Sequence, residues 1–273
     1  MNVSILSKED YEEPRCPLCA PGAVSPIPVD RVIGKLDEYL NRNDYGAAER
    51  HLRYWLAEAE HSGDARGRLS VLNEQIGLYR KLDREAEGLR AADDALAQAE
   101  ALGMDGTITM GTTLINAATA YKAFGRAAEA LPLYRRAQTI YEAHLAPDDA
   151  RLGGLYNNMA LTVSALGDYC AARSLFEKAL AVMARQAHGE AEMAITWCNL
   201  ADLAAAEQGV ENAEARIAEC LEKAQTLLDA PGLPRDGYYA FVCEKCAPAF
   251  GYYGWFAAEE ELQRRAKEIY ERA

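Results

Sequence analysis

Two stretches of the chain are copies of one pattern, and they align without a gap at a separation of 42 residues. The first reads Leu114-x-x-Ala117-Ala118-x-x-Tyr121-x3-Gly125-x-Ala127-x-x-Ala130-x3-Tyr134-x-x-Ala137. The second reads Tyr156-x-x-Met159-Ala160-x-x-Val163-x3-Gly167-x-Tyr169-x-x-Ala172-x3-Phe176-x-x-Ala179. Apolar residues three and four apart mark one face of an α-helix. A Gly sits at the bend, and small Ala residues follow where two helices touch. Each copy is therefore a helix–turn–helix. One such pair cannot cover its own apolar face, so copies must stack and share a continuous core.

Weaker copies extend the pattern in both directions. Val32, Leu36 and Tyr39 lead to a bend at Asn43-Asp44-Tyr45, then Ala48, Leu52 and Trp55. Leu72, Ile76 and Tyr79 lead to a bend at Asp83, then Ala92 and Ala95. Trp197, Leu200, Ala201 and Ala204 precede Gly209, whose bend reads one residue longer than its neighbours', and Ile217, Leu221 and Ala224 follow. A degenerate sixth unit runs from Gly237 to the end. Repeats starting near 29, 69, 111, 153, 194 and 238 fill residues 29–273 with a period of 40 to 44 residues. Residues 1–28 carry Pro14, Pro17, Pro21, Pro26 and Pro28 with the acidic run Glu9-Asp10-Tyr11-Glu12-Glu13, and read as an extended or disordered arm.

The spacing resembles the tetratricopeptide repeat (TPR). The long period, with Leu145-Ala146-Pro147-Asp148-Asp149 between units and Leu155-Tyr156-Asn157-Asn158-Met159-Ala160 opening the next, is similar to the kinesin-light-chain-type subclass. That resemblance implies an all-α fold, a right-handed TPR superhelix (α-solenoid) of about six repeats whose first helices line the inner surface. It implies a protein- or peptide-binding scaffold and leaves the partner unnamed.

Charge narrows the partners. The chain has 42 acidic against 29 basic residues, a net charge of −13, and a surface of that sign repels phosphate backbones. Nucleic acid is not an expected partner. No stretch of 18 or more apolar residues offers a membrane span, and the opening residues turn polar too soon for a signal peptide. The expectation is a cytoplasmic protein with no membrane partner. Signatures such as G-x-x-x-x-G-K-[ST], G-x-S-x-G and H-E-x-x-H do not occur, so no catalytic residue is assigned and no enzyme is expected.

Three asparagines are more informative. Asn116, Asn158 and Asn199 recur in the first helices of successive repeats, each two residues before Ala118, Ala160 or Ala201. Asn is a mediocre helix former, so three in register ask for a reason. A side-chain amide both donates and accepts, which matches the backbone of an extended peptide. The other reading is that each Asn only fixes repeat packing; both stay open at this point. Asn73 and Asn157 stand one position off the row, and Glu74 replaces Asn in the second repeat. Arg80, Lys81 and Lys122 end their first helices, and Arg80 and Lys122 suit an acidic peptide or a C-terminal carboxylate. Aromatic residues crowd the stretch 238–256. Either they cap the array, or Tyr252, Tyr253 and Trp255 anchor a partner.

Seven Cys in a large helical chain do not form a secreted disulfide framework. Cys16-Pro17-Leu18-Cys19 and Cys243 with Cys246 form two C-x-x-C pairs, which together offer four thiolates to a structural zinc or act as a redox pair. Their wide separation in sequence weakens that reading, and no cofactor is the primary expectation. Cys170, Cys198 and Cys220 read as small core residues. Besides the scaffold, the sequence leaves two alternatives: a peptide-responsive regulatory receptor, and a thiol-based zinc or redox sensor.

Overall fold

The computed structural model describes residues 25–272. Cys16, Cys19 and most of the Pro-rich stretch lie outside them. The chain divides into two compact units, Met1–Asp105 and Gly106–Ala273. The first holds α1 (Val29–Asn41), α2 (Tyr45–Ser62), α3 (Ala65–Lys81) and α4 (Glu85–Ala101). The second holds α5 (Ile108–Ala123), α6 (Ala127–His144), α7 (Ala150–Ala165), α8 (Tyr169–Met183), α9 (Glu190–Gln208), α10 (Val210–Leu228), α11 (Gly237–Tyr252) and α12 (Phe256–Arg272). The fold is all-α and of the TPR type, with helices paired in chain order.

Local chemistry sets the helix ends. Asp44, Asp64, Thr107, Asp149, Asp168 and Asp236 stand at N-caps, each side chain accepting a backbone N–H of the first turn. Such a cap contributes about 1 kcal/mol. The corner between the two helices of a repeat needs one left-handed residue. Gly125 and Gly167 supply it at φ 77° and 86°, while Asn43 and Asp83, residues that tolerate this region, supply it at 54° and 55°.

The fifth corner departs from its sequence reading. The bend there is shorter than its neighbours', not longer: α9 runs to Gln208 and α10 starts at Val210, leaving Gly209 alone between them. Gly209 combines φ 81° with ψ 151°, a region open only to glycine. The residue read as an addition to the bend is taken up by the helix.

In the first unit the core gathers Val32 and Leu36 of α1, Leu52 and Trp55 of α2, and Val71 and Leu78 of α3. Buried His51 joins it as a neutral imidazole. Its Nε2 donates to the Val32 carbonyl at 2.9 Å, and Tyr39 and Trp55 meet its ring edge-on. Burial lowers its pKa more than the hydrogen bond raises it.

In the second unit Leu114, Tyr134, Leu155, Phe176, Leu203 and Phe250 are fully buried. The second helix of one repeat packs on the first helix of the next, α6 on α7 and α8 on α9. Gly111 lets α5 meet α6. A Cβ there would fall 2.6 Å from Cε1 and 2.8 Å from Cδ1 of Tyr141. That ring is buried, and its hydroxyl lies 2.8 Å from Thr112 Oγ1. Gly111→Ala is therefore expected to cost about 1–3 kcal/mol, read as a lower urea midpoint at unchanged m-value.

Candidate peptide-binding face

The first helices of the second unit neighbour one another in order, α5 by α7, α7 by α9 and α9 by α11. Ala118, Ala160 and Ala201 are wholly buried. Two residues earlier is about 200° around a helix, which turns Asn116, Asn158 and Asn199 to the opposite side. All three are half-buried, so their amides lie at the floor of a helical face rather than free in water.

The three are not equivalent. Asn199 Nδ2 donates to Asn157 Oδ1 on α7 at 3.0 Å, and the buried Thr196 hydroxyl lies 3.2 Å from the same oxygen. At Asn199 the amide ties two repeats together, and Asn157 is its partner. Asn116 also has a partner within the protein. The Asn158 side chain makes no hydrogen bond to a described residue, although its carbonyl accepts from Thr162.

At the far end of the row α11 packs on α9 more closely than α7 does. Three side-chain contacts fix its register. The Tyr238 hydroxyl donates to Glu192, the Tyr253 hydroxyl donates to Asp202 Oδ1 at 2.9 Å, and the Cys198 thiol meets that of Cys246. Tyr238 thus lies beside Glu192, about two turns before Asn199 on the same side of α9, and Phe241 and Lys245 follow Tyr238 at helical spacing on α11. Tyr238 and Phe241 are 48% and 42% exposed and stack at 6.1 Å, and the Lys245 ammonium lies 5.6 Å from the Phe241 ring. The sequence reading passed over this pair. Its signal was the helical spacing 238, 241, 245, hidden among the other aromatics of α11.

The aromatics chosen from the sequence divide. Tyr252 is 75% exposed, Tyr253 is held by Asp202, and Trp255 packs edge-on against buried Phe250 at 5.9 Å. Arg80 is exposed in the last turn of α3, in the first unit. Lys122 is half-buried in the last turn of α5, in the second.

The electrostatics of the face are uneven. Other acids have cations: half-buried Glu49 on α2 pairs with Arg84 at 2.8 Å, and exposed Asp229, at the C-cap of α10, with Arg265 at 2.6 Å. Glu207, one turn beyond Asp202 on α9, pairs with Arg173. Among the described residues Glu192 and Asp202 meet tyrosine hydroxyls and no cation, and loss of water raises both carboxyls above their ordinary values. Glu74, which replaces Asn in α3, is raised by burial first and then by the nearby charge of Asp37.

A carboxyl whose pKa is higher folded than unfolded stabilises the fold fully below its unfolded pKa. That contribution is lost as the pH rises through the folded value. Replacing Glu192 by Gln and Asp202 by Asn keeps an acceptor for each tyrosine and removes the charge. The double variant is expected to melt about 1–3 °C higher at pH 7 and to match the parent in acid.

Of the two C-x-x-C pairs only Cys243 and Cys246 lie within the described residues. Cys246 meets Cys198 of α9, while Cys243, equally buried, lies toward Arg265 and Arg235, its thiol pushed up to about 11 by burial. One residue of the motif faces one neighbouring helix and the other a different flank. Cys198 and Cys220 are buried as expected, but Cys170 is exposed, because it falls in the first turn of α8 ahead of the first core residue, Ala172. Among the described residues no group of three His, Cys, Asp or Glu is arranged to hold a metal. None of their helices is long and apolar enough to cross a membrane.

A tetratricopeptide repeat family model matches residues 111–150 and 153–191. No curated protein matches the chain. Two solved structures are similar. One is a Podosopora anserina kinesin light chain with nearly identical TPR-like repeats, 19% identical, with a TM-score of 0.52 over 74% of this chain and 94% of that one. The other is BtubC (BKLC) from P. vanneervenii, also 19% identical, with a TM-score of 0.54 over 84% of this chain and 90% of that one. At this identity the likeness is one of fold. The repeated helix pairs, the left-handed corners and the matched stretches agree: residues 111–191 carry two tetratricopeptide repeats, and the chain folds like the repeats of kinesin light chains.

Proposed function

We propose that the chain binds an extended peptide segment of a protein partner across the face formed by α5, α7, α9 and α11. The TPR fold is an interaction scaffold, and its first helices present a row of amides here. The observation that carries the reading is Asn158: a half-buried amide at the centre of the row, with no hydrogen bond to a described residue. An amide so placed supplies both a donor and an acceptor to a passing backbone. Asn116 and Asn199 flank it and hold the same backbone, Asn199 while also tying α9 to α7. Lys122, in the last turn of α5, meets the C-terminal carboxylate or an acidic side chain of the partner, and Arg80 offers the same contact in the first unit. Tyr252, exposed at the end of α11, serves as an aromatic anchor.

The test is affinity capture from the source organism's lysate with the parent chain beside the Asn116/Asn158/Asn199→Ala variant, both checked by thermal melts. A partner retained by the parent and lost by the folded variant supports the reading. Equal capture by both overturns it and leaves the asparagines as packing residues.

A further inference from the structure

We infer that the segment bound across this face is basic, carrying Lys or Arg where it passes α9; the inference rests on the peptide-binding reading above. Glu192 and Asp202 flank Asn199 on α9, about 10 Å and 4.5 Å away along the helix in opposite directions. Alternate side chains of an extended segment point to opposite sides. A backbone held by Asn158 and Asn199 therefore sends successive side chains toward the two carboxylates. Neither carboxylate has an ion pair with a described residue, whereas Glu207 on the same helix has Arg173. Each has only a tyrosine hydroxyl, from Tyr238 or Tyr253. Lys245, on α11, lies against the Phe241 ring.

Glu192 is half-buried and Asp202 more exposed, and a guanidinium or ammonium brought by a ligand supplies the cation that both carboxylates lack among the described residues. Beside them the stacked rings of Tyr238 and Phe241, both largely exposed, offer surface to the stem of a Lys or Arg or to an apolar neighbour.

The test uses acetylated octapeptide pools in which one position is fixed as Lys, Arg, Asp, Glu, Leu or Ala. Binding to the full chain is read by fluorescence anisotropy at about 0.15 M salt, where long-range attraction is screened. Pools fixed as Lys or Arg are expected to bind at least about tenfold tighter than pools fixed as Asp or Glu, a difference of about 1.4 kcal/mol. Glu192→Gln with Asp202→Asn abolishes that preference while Leu and Ala pools bind as before. Asn158→Ala weakens every pool. Acid-fixed pools binding as tightly as basic ones overturn the inference and leave the peptide-binding reading standing. So does a basic preference that survives the double variant, since it then reflects the net charge of the chain. Binding by no pool overturns both.

Discussion

Replacing Phe176 with alanine is expected to destabilise the second unit by about 3–5 kcal/mol, the range for emptying a buried aromatic site. Phe176 is wholly buried on α8, which packs on both α7 and α9. The ring thus lies in the core of a helix that joins two successive repeats. In a repeat array each unit is held by its neighbours alone, so a cavity at one junction loosens the pairs on either side. Urea unfolding followed by circular dichroism reads the loss as a lower midpoint. Phe256→Ala is the control: that ring is 65% exposed at the start of α12, and its removal should stay within about 0.5 kcal/mol. A change of less than about 1 kcal/mol at Phe176 would mean that the repeat core does not pass through α8.

Asn158→Ala is expected to leave stability unchanged and to weaken partner binding about tenfold or more. The side chain makes no hydrogen bond to a described residue, so its removal takes nothing from the fold. A backbone segment left with an unmatched donor and acceptor loses about 1–3 kcal/mol, which is that factor in affinity. Asn199→Ala differs, because it also strips Asn157 of a cross-repeat bond and should lower the melting temperature as well as affinity. Melts and anisotropy on the two single variants separate gripping from packing. A stability loss at Asn158 equal to that at Asn199 would assign both to packing.

The repeats were legible in the sequence wherever large and small apolar residues kept their spacing, as from Leu114 to Ala179. There the spacing alone places the bends at Gly125 and Gly167, and the structure puts left-handed residues at both. Elsewhere legibility failed for particular reasons. At Gly209 a glycine shifted by one position looked like a longer corner, yet the helix absorbed the shift because the alanines on either side, Ala201 and Ala213, kept their places in the core. The Asn row was visible as a row, but aligned positions do not reveal which residue of the next helix they face. Asn199 reaches Asn157, one position off its own row. Residues of α11 were harder still. Their contacts with α9, from Cys246 to Cys198 and from Tyr253 to Asp202, depend on a helix-to-helix register that the degenerate last repeat does not encode in its spacing. The Tyr238–Phe241 pair stands at helical spacing within α11, but that register decides that Tyr238 meets Glu192.

Hydrogen–deuterium exchange on the full chain, with and without its captured partner, tests the account most directly. Bound segments shield the backbone they cover and slow the opening of the helices that present it. The account predicts that added protection falls on α7, α9 and α11, with its maximum around Asn158 and Asn199. Protection that falls instead on the second helices α6, α8 and α10, with the Asn row unchanged, would contradict it.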